Sequence, residues 1–335
     1  MKLSKATVYF SGAALILFIA GTLISWGKFG HAHINRAAVM ALPPAMQAYY
    51  FNHIDYITQE ANVPDVRKYT YRDTAEFPRH FIHMEDLGNL DTVPKSYAAA
   101  MARYNKRFFI KQGILPWNIQ FMMDKLTLAF KQKHAVDILF LSADLGHYIG
   151  DAYMPLHVSS NHDGLLTNRK GIHAMFESQI PEQFGEAYNF HTKGAVYIAD
   201  IEKETWRIMS ESLKAADTLL QVDRDLYKNL PDNKIYELDA AGKIKLNQYN
   251  EPVHTYQYCK LYQAGLHGMI ERKLRASIAT TASFWYTAWV NAGKPDLSKI
   301  DKKELTLRNA QGMAQERTLW KKGKLFGIDT DDEFN

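Results

Sequence analysis

Disulfide bonds are out of reach for this chain, because Cys259 is the only cysteine in its 335 residues. Stability must come from a packed core and from bound ligands rather than from covalent staples. Charge of one sign is also missing. Forty Lys and Arg stand against 36 Asp and Glu, a formal net charge of +4. Two of those cations, Lys2 and Lys5, precede the first apolar run. No basic footprint of the kind a dedicated duplex-DNA binder displays is left. The Gly-x-Ser-x-Gly turn that exposes a serine nucleophile does not occur, nor does any internal repeat or low-complexity tract.

What is present supports a proper core: 47% of residues are hydrophobic and 13% aromatic, which argues against general disorder. Lys2 and Lys5, the uncharged stretch Ala6 to Ile24 and the small Ser25 read as an export signal cut before Trp26. Residues 1–25 are then a signal peptide, and the mature protein is periplasmic or secreted. An uncleaved N-terminal membrane anchor is the alternative.

The rest reads as an all-α fold, a single large helical domain over residues 26–298. Apolar positions recur at helical spacing in residues 32–60 and 95–134, with Leu42-Pro43-Pro44 and Leu115-Pro116 marking helix entries. Residues 135–153 are apolar nearly all round, as expected of a buried helix, and must stop close to Pro155. His157 then leaves that helix on a loop. Residues 170–180 make a short helix, 202–221 an amphipathic one, and 256–291 a long one. A polar insertion near 230–250 reads as a small hairpin turning at Asp239-Ala-Ala-Gly242. Residues 299–335 read as a charged C-terminal tail.

Histidines and acids stand out against this background. His147-x3-Asp151 and His173-x3-Glu177 each place two ligand-type side chains on one helix face, with His31, Asp65, His80 and His157 at usable positions. Neutral imidazole with carboxylate is the donor set of catalytic zinc, whereas structural zinc sites are closed by four ligands and often rich in cysteine. Asp144, one turn before His147, could orient that imidazole or be an ordinary helix-face carboxylate, and Arg67, Lys68 and Arg79 could steer phosphate, although solvated charges are the expectation for at least two of them. His53, His134, His162, His191, His254 and His267 belong to no motif.

The opening Trp26-Gly-Lys-Phe-Gly-His31, then Asp65, His80-Phe81-Ile82, His147-x3-Asp151-x5-His157 and His173-x3-Glu177 resemble the superfamily of zinc-dependent phospholipases C and single-strand-specific nucleases. The matching residues run from Trp26 to Glu177. The resemblance favours His31 over His33 and His80 over His83. It implies three zinc ions. Asp65, His80, His147 and Asp151 would hold the first, and His157, His173 and Glu177 the second. The third would take His31, the bridging Asp151 and the amino and carbonyl groups of Trp26. Only a free α-amino group can donate a lone pair to zinc, which gives cleavage before Trp26 its meaning. Asp65 and Asp151 are the carboxylates the resemblance makes catalytic, and a hydroxide shared between zincs is the implied nucleophile.

The substrate implied is a phospholipid or a single-stranded nucleic acid, with no obligate protein partner and a monomeric chain. Phe81 stands where the nucleases stack a base, and Phe81, His83 and Lys68 are the candidate substrate contacts. His83 replaces the nuclease aspartate, and Glu177 is the phospholipase-type last ligand. A phospholipase C-like phosphodiesterase is therefore the preferred expectation. Tyr69, Tyr71, Phe77, Tyr148 and Tyr153 could line a choline pocket by cation–π contact. A non-catalytic zinc-binding periplasmic protein is a more distant reading.

Overall fold

The computed structural model describes residues 27–247 and 250–328. The export segment and Trp26 lie outside the described residues. Among those described, no helix is long and apolar enough to cross a membrane. The fold is all-α, with no β-sheet among the described residues. Among the described residues, eleven helices have seven or more residues. They are α1 (Gly27–Ala41), α2 (Pro44–Asn52), α3 (Ile54–Glu60), α4 (Tyr97–Arg103), α5 (Lys106–Gln112), α6 (Leu115–Gln132), α7 (Ala135–Tyr153), α8 (Ile201–Tyr227), α9 (Tyr256–Gly265), α10 (Met269–Asn291) and α11 (Lys303–Lys321).

Helices α1, α6, α7 and α10 pack on one another and form the core. Trp285 of α10 stacks on Tyr50 at 5.1 Å and donates its indole N–H to the Ser142 carbonyl of α7 (3.0 Å). The apolar stretch at 135–153 is α7, buried along most of its length. It ends at Met154 because the following proline disfavours helix in the residue before it. Two glycines of α7 let α1 approach closely. A Cβ at Gly146 would lie 1.9 Å from Asn35 Oδ1, and one at Gly150 would lie 3.0 Å from the His31 ring. Asn35 in turn donates to the carbonyls of Ile57 (3.3 Å) and Ala143 (3.1 Å), joining α1, α3 and α7.

Three expectations need correction. The long helix at 256–291 is two, because His267 and Gly268 adopt left-handed backbone (φ +50° and +76°) that a continuing α-helix cannot contain. Within the charged tail, residues 303–321 form α11, which folds back on α1 and α2. There Glu316 is buried and takes a two-pronged contact from Arg36 (2.5 and 2.8 Å), while the Trp320 indole donates to the Phe190 carbonyl (3.1 Å). The composition hid this because most charges of α11 lie on its outer face. The insertion near 230–250 turns at Asp239–Gly242, as expected, with Leu238 opposite Ile244. It then turns a second time, pairing Leu246 with Pro252 and Tyr236 with His254, as isolated antiparallel bridges rather than regular strands.

Candidate metal centre

Eight side chains singled out by spacing converge in the interior: His31, Asp65, His80, His147, Asp151, His157, His173 and Glu177, none more than 4% exposed. Trp26, the ninth, lies outside the described residues. Long helices supply three of them, His31 from α1 and His147 and Asp151 from α7. Asp65 ends a single helical turn that opens with Pro64 at its first positions, and His80 ends a 3-10 turn. His157 sits on the 3-10 turn after Pro155, so the proline that ends α7 also redirects this imidazole. His173 and Glu177 keep their four-residue spacing across a widened π turn, Met175–Gln179, and a second π turn, Val66–Thr70, follows Asp65. Such turns displace side chains from ordinary helical register and occur often at functional sites.

Three groups of ligand-type atoms lie within 4.8 Å of one another: His31, Asp65 and His147; His80, His147 and Asp151; and His157, His173 and Glu177. These buried groups could hold metal ions. In the second, His80 Nδ1 is 3.1 Å from His147 Nε2 and 3.0 Å from Asp151 Oδ2, which is 3.3 Å from His147 Nε2. In the third, His157 Nε2 lies 3.2 Å from His173 Nε2 and 3.5 Å from Glu177 Oε2, and His173 Nε2 lies 2.8 Å from Glu177 Oε1. Tetrahedral ligands 2.0–2.1 Å from a zinc ion are separated by roughly 3.3 Å, so both sets fit. Asp151 spans groups: Oδ2 faces His80 and His147, while Oδ1 faces His31 Nε2 (3.6 Å) and His157 Nδ1 (3.3 Å).

The outward nitrogens fix the tautomers. His147 Nδ1 donates to the Ala61 carbonyl (2.8 Å), His157 Nδ1 to that of His80 (2.7 Å) and His173 Nδ1 to that of His162 (2.9 Å). In the neutral rings Nε2 therefore carries a lone pair, and His157 and His173 point two such lone pairs at each other. A metal ion between them, or a proton on His173 facing Glu177 Oε1, relieves that repulsion. Asp65 Oδ1 is likewise buried without a hydrogen-bond partner.

Titration behaviour agrees. Burial lowers the His147 pKa, but Asp151 and Asp65 more than offset this and raise it to about 9. Burial works against protonation at His173 too, and Glu177 overcomes it, again to about 9. His80 falls to about 4 through burial and the Lys68 charge. Asp151 and Glu177 stay ionised well below the carboxylate range despite burial, held there by the facing histidines. Burial pushes Asp65 well up. His147 and His173 therefore carry protons at neutral pH, and a metal ion bound by these groups would have to displace them.

Several supporting residues were not anticipated. His80 presents Nε2 to Glu76 Oε1 (3.4 Å), a buried carboxylate that also accepts from Tyr148, Arg67 (2.9 Å) and Arg79 (3.1 Å). The four-residue spacing of Glu76 and His80 was a legible signal for this pair. Asp144 does not orient His147; it pairs with Arg67 (2.6 Å). Arg67 and Arg79 are thus committed to carboxylates, and Lys68 is the one member of that trio beside the ligands, its Nζ 4.0 Å from Asp65 Oδ1. Burial lowers the Lys68 pKa, yet Tyr69 and Asp65 outweigh it and keep the amine charged. His162, without any motif, has its ring 4.3 Å from that of His173 and 5.4 Å from that of His157.

Phe81 is buried among Phe77, His83 and His162. Tyr148 and Tyr153 are also buried, their hydroxyls engaged by Glu76 and Thr280, so neither lines an open pocket. Tyr69, Tyr71 and Phe77 reach the surface. No protein-family model matches the chain, and no curated protein matches it.

Proposed function

We propose that this chain is a zinc-dependent phosphodiesterase of the phospholipase C type, holding three zinc ions. The observation that carries the reading is the packing of five imidazoles and three carboxylates into contiguous buried groups, three of the imidazoles turned so that Nε2 faces inward. Nitrogen and carboxylate donors without thiolate are the zinc set of hydrolases, and eight side chains are too few to saturate three metals. Zinc bound here supplies Lewis acidity and a water that ionises near neutral pH.

The chain's own residues have distinct tasks. Asp151, with one oxygen toward His80 and His147 and the other toward His31, would be shared between metals bound by the two neighbouring groups. Asp65 keeps a buried oxygen beside His80 and His147. The carbonyls of Ala61, His80 and His162 keep the imidazoles turned inward. Lys68 places a buried cation 4.0 Å from Asp65 Oδ1, of the sign that would stabilise a phosphate bound by the metals. Burial excludes bulk water and strengthens each of these interactions.

Lipid is favoured over single-stranded nucleic acid by Phe81, whose ring is packed among its neighbours instead of being offered for base stacking. The test is parallel hydrolysis of phosphatidylcholine vesicles and single-stranded DNA by zinc-loaded protein starting at Trp26, with and without chelator. Chelator-sensitive diacylglycerol release without DNA cleavage is expected. DNA cleavage alone would move the chain to the nuclease branch, and metal uptake with neither activity would favour a zinc-binding role without catalysis.

A further inference from the structure

A second buried charge cluster lies behind the His157, His173 and Glu177 group. Arg169 is buried and grips Asp223 of α8 with two nitrogens (2.6 and 3.1 Å). Its remaining donors reach the hydroxyls of Tyr236 and Tyr258 (both 3.2 Å), and its guanidinium lies 3.6 Å from the Tyr227 ring centroid. Tyr258 also donates to Asp223 (2.7 Å). Burying such a pair is costly, and stability alone is a weak reason for one, since apolar residues of similar volume usually serve as well.

Its position suggests a different use. His173 follows Arg169 by four residues, and the intervening chain is held at every step. Asp163 accepts from the backbone N–H of Gly171 (3.0 Å) and of His173 (3.2 Å). Lys170 donates to the Asn250 carbonyl of the insertion (3.0 Å). Gly171 lies so near Pro252 that a Cβ there would sit 3.1 Å from its ring. On the far side of Glu177, the Gln179 amide donates to the His254 carbonyl (2.6 Å) and accepts its N–H (3.2 Å). Tyr236 and His254 face each other as the closing bridge of the insertion. One end of the insertion therefore touches Arg169 and the other holds Gln179, so both metal-facing side chains are braced by the same segment.

We infer that the Arg169–Asp223 pair and the insertion spanning 236–254 form one clamp that positions His173 and Glu177, so that its loss weakens metal binding at this group alone. The inference rests on the metal-binding part of the proposed function and not on any substrate. The clamp residues are positioning residues: none is within the metal groups themselves.

The experiment is a metal titration of the full chain at buffered free zinc, repeated with cobalt to follow its visible absorption, alongside thermal melting. Arg169→Met alone strands a buried carboxylate and lowers both Tm and metal affinity, so it serves as the destabilised control. Arg169→Met/Asp223→Leu removes both charges and is expected to regain much of the Tm. Its binding curve should still show one step weakened by roughly 10–100-fold, the usual effect of losing support behind a ligand, with the other steps unchanged. Gln179→Ala touches neither charge and should weaken the same step. A double variant or a Gln179→Ala protein that binds every metal with parental affinity overturns the clamp, and so does equal weakening of all steps. Hydrolysis is not part of the readout, so failure of the phosphodiesterase reading registers separately in the substrate assay.

Discussion

The ligands carried by long helices are held differently from those carried by short segments. His31, His147 and Asp151 sit on α1 and α7, where helix packing and the Gly146–Asn35 contact fix them. His80 and His157 sit on single 3-10 turns, while Asp65, His173 and Glu177 sit on helical runs, 63–70 and 172–184, each distorted by a π turn. A single turn or a distorted run holds a side chain less firmly than a packed long helix, and outside groups add support: Glu76 meets His80, the His80 carbonyl holds His157, the His162 carbonyl holds His173, and the insertion holds Gln179, two residues after Glu177. The helix-borne part is rigid through packing; the segment-borne part is rigid only while its supports stand.

The largest effect should come from Asp151, where the two parts meet. Asp151→Ala removes the carboxylate shared by four histidines. Losing several kcal/mol of charge stabilisation means hydrolysis falls by roughly a thousandfold or more, while far-UV circular dichroism keeps its helical form. Retained hydrolysis in a metal-replete Asp151→Ala protein would remove the shared carboxylate from the scheme. Glu76→Gln probes the segment-borne part. It keeps the shape but weakens the grip on His80 Nε2, so zinc affinity should drop by roughly 10–100-fold with little change in circular dichroism; unchanged affinity would mean His80 needs no outside support. Gly146→Ala probes the helix-borne part. The new methyl group meets an Asn35 side chain already committed to two carbonyls, and overpacking of this kind costs about 1–3 kcal/mol. A lowered denaturation midpoint in metal-free protein is expected, and an unchanged one would show that α1 can shift away freely.

The same division decided what was legible in the sequence. His147-x3-Asp151 could be read because an α-helix converts a four-residue spacing into one face, and α7 is a regular helix. Proline before His157 announced the end of that helix and the turn of the imidazole. The supports were not legible, since Arg169–Asp223, Asp144–Arg67 and Gln179–His254 join residues 54, 77 and 75 positions apart. The choice for Asp144 between orienting His147 and an ordinary helix-face role stayed open, because helical spacing names neighbours on one helix and is silent about an arginine arriving from another segment. The break at Gly268 and the packing of α11 were missed for related reasons. A histidine in left-handed conformation has no sequence signature, and a helix buried through Glu316 and Trp320 looks polar in composition.

A last expected effect concerns acid, and it separates the supports from the candidate ligands. His254 is buried against Tyr258, its Nδ1 lacks a hydrogen-bond partner, and burial with the Arg169 charge lowers its pKa to about 3. In the unfolded chain it titrates near 6.5. A histidine with a depressed folded pKa contributes stability that is present above pH 6.5 and is lost as pH falls toward 3, at roughly 1.4 kcal/mol per pH unit within that window. His147 and His173, raised to about 9, act in the opposite sense in metal-free protein: their contribution is complete below 6.5 and is lost as pH rises through 9. His254→Phe keeps the stacking on Tyr258 and removes the titrating group, so the metal-free variant should lose less stability than the parent between pH 6.5 and 4 and match its pH dependence between 7 and 9. Urea denaturation of both proteins across those two windows is the measurement. Parallel curves on the acid side would mean that His254 is not what loosens the insertion in acid.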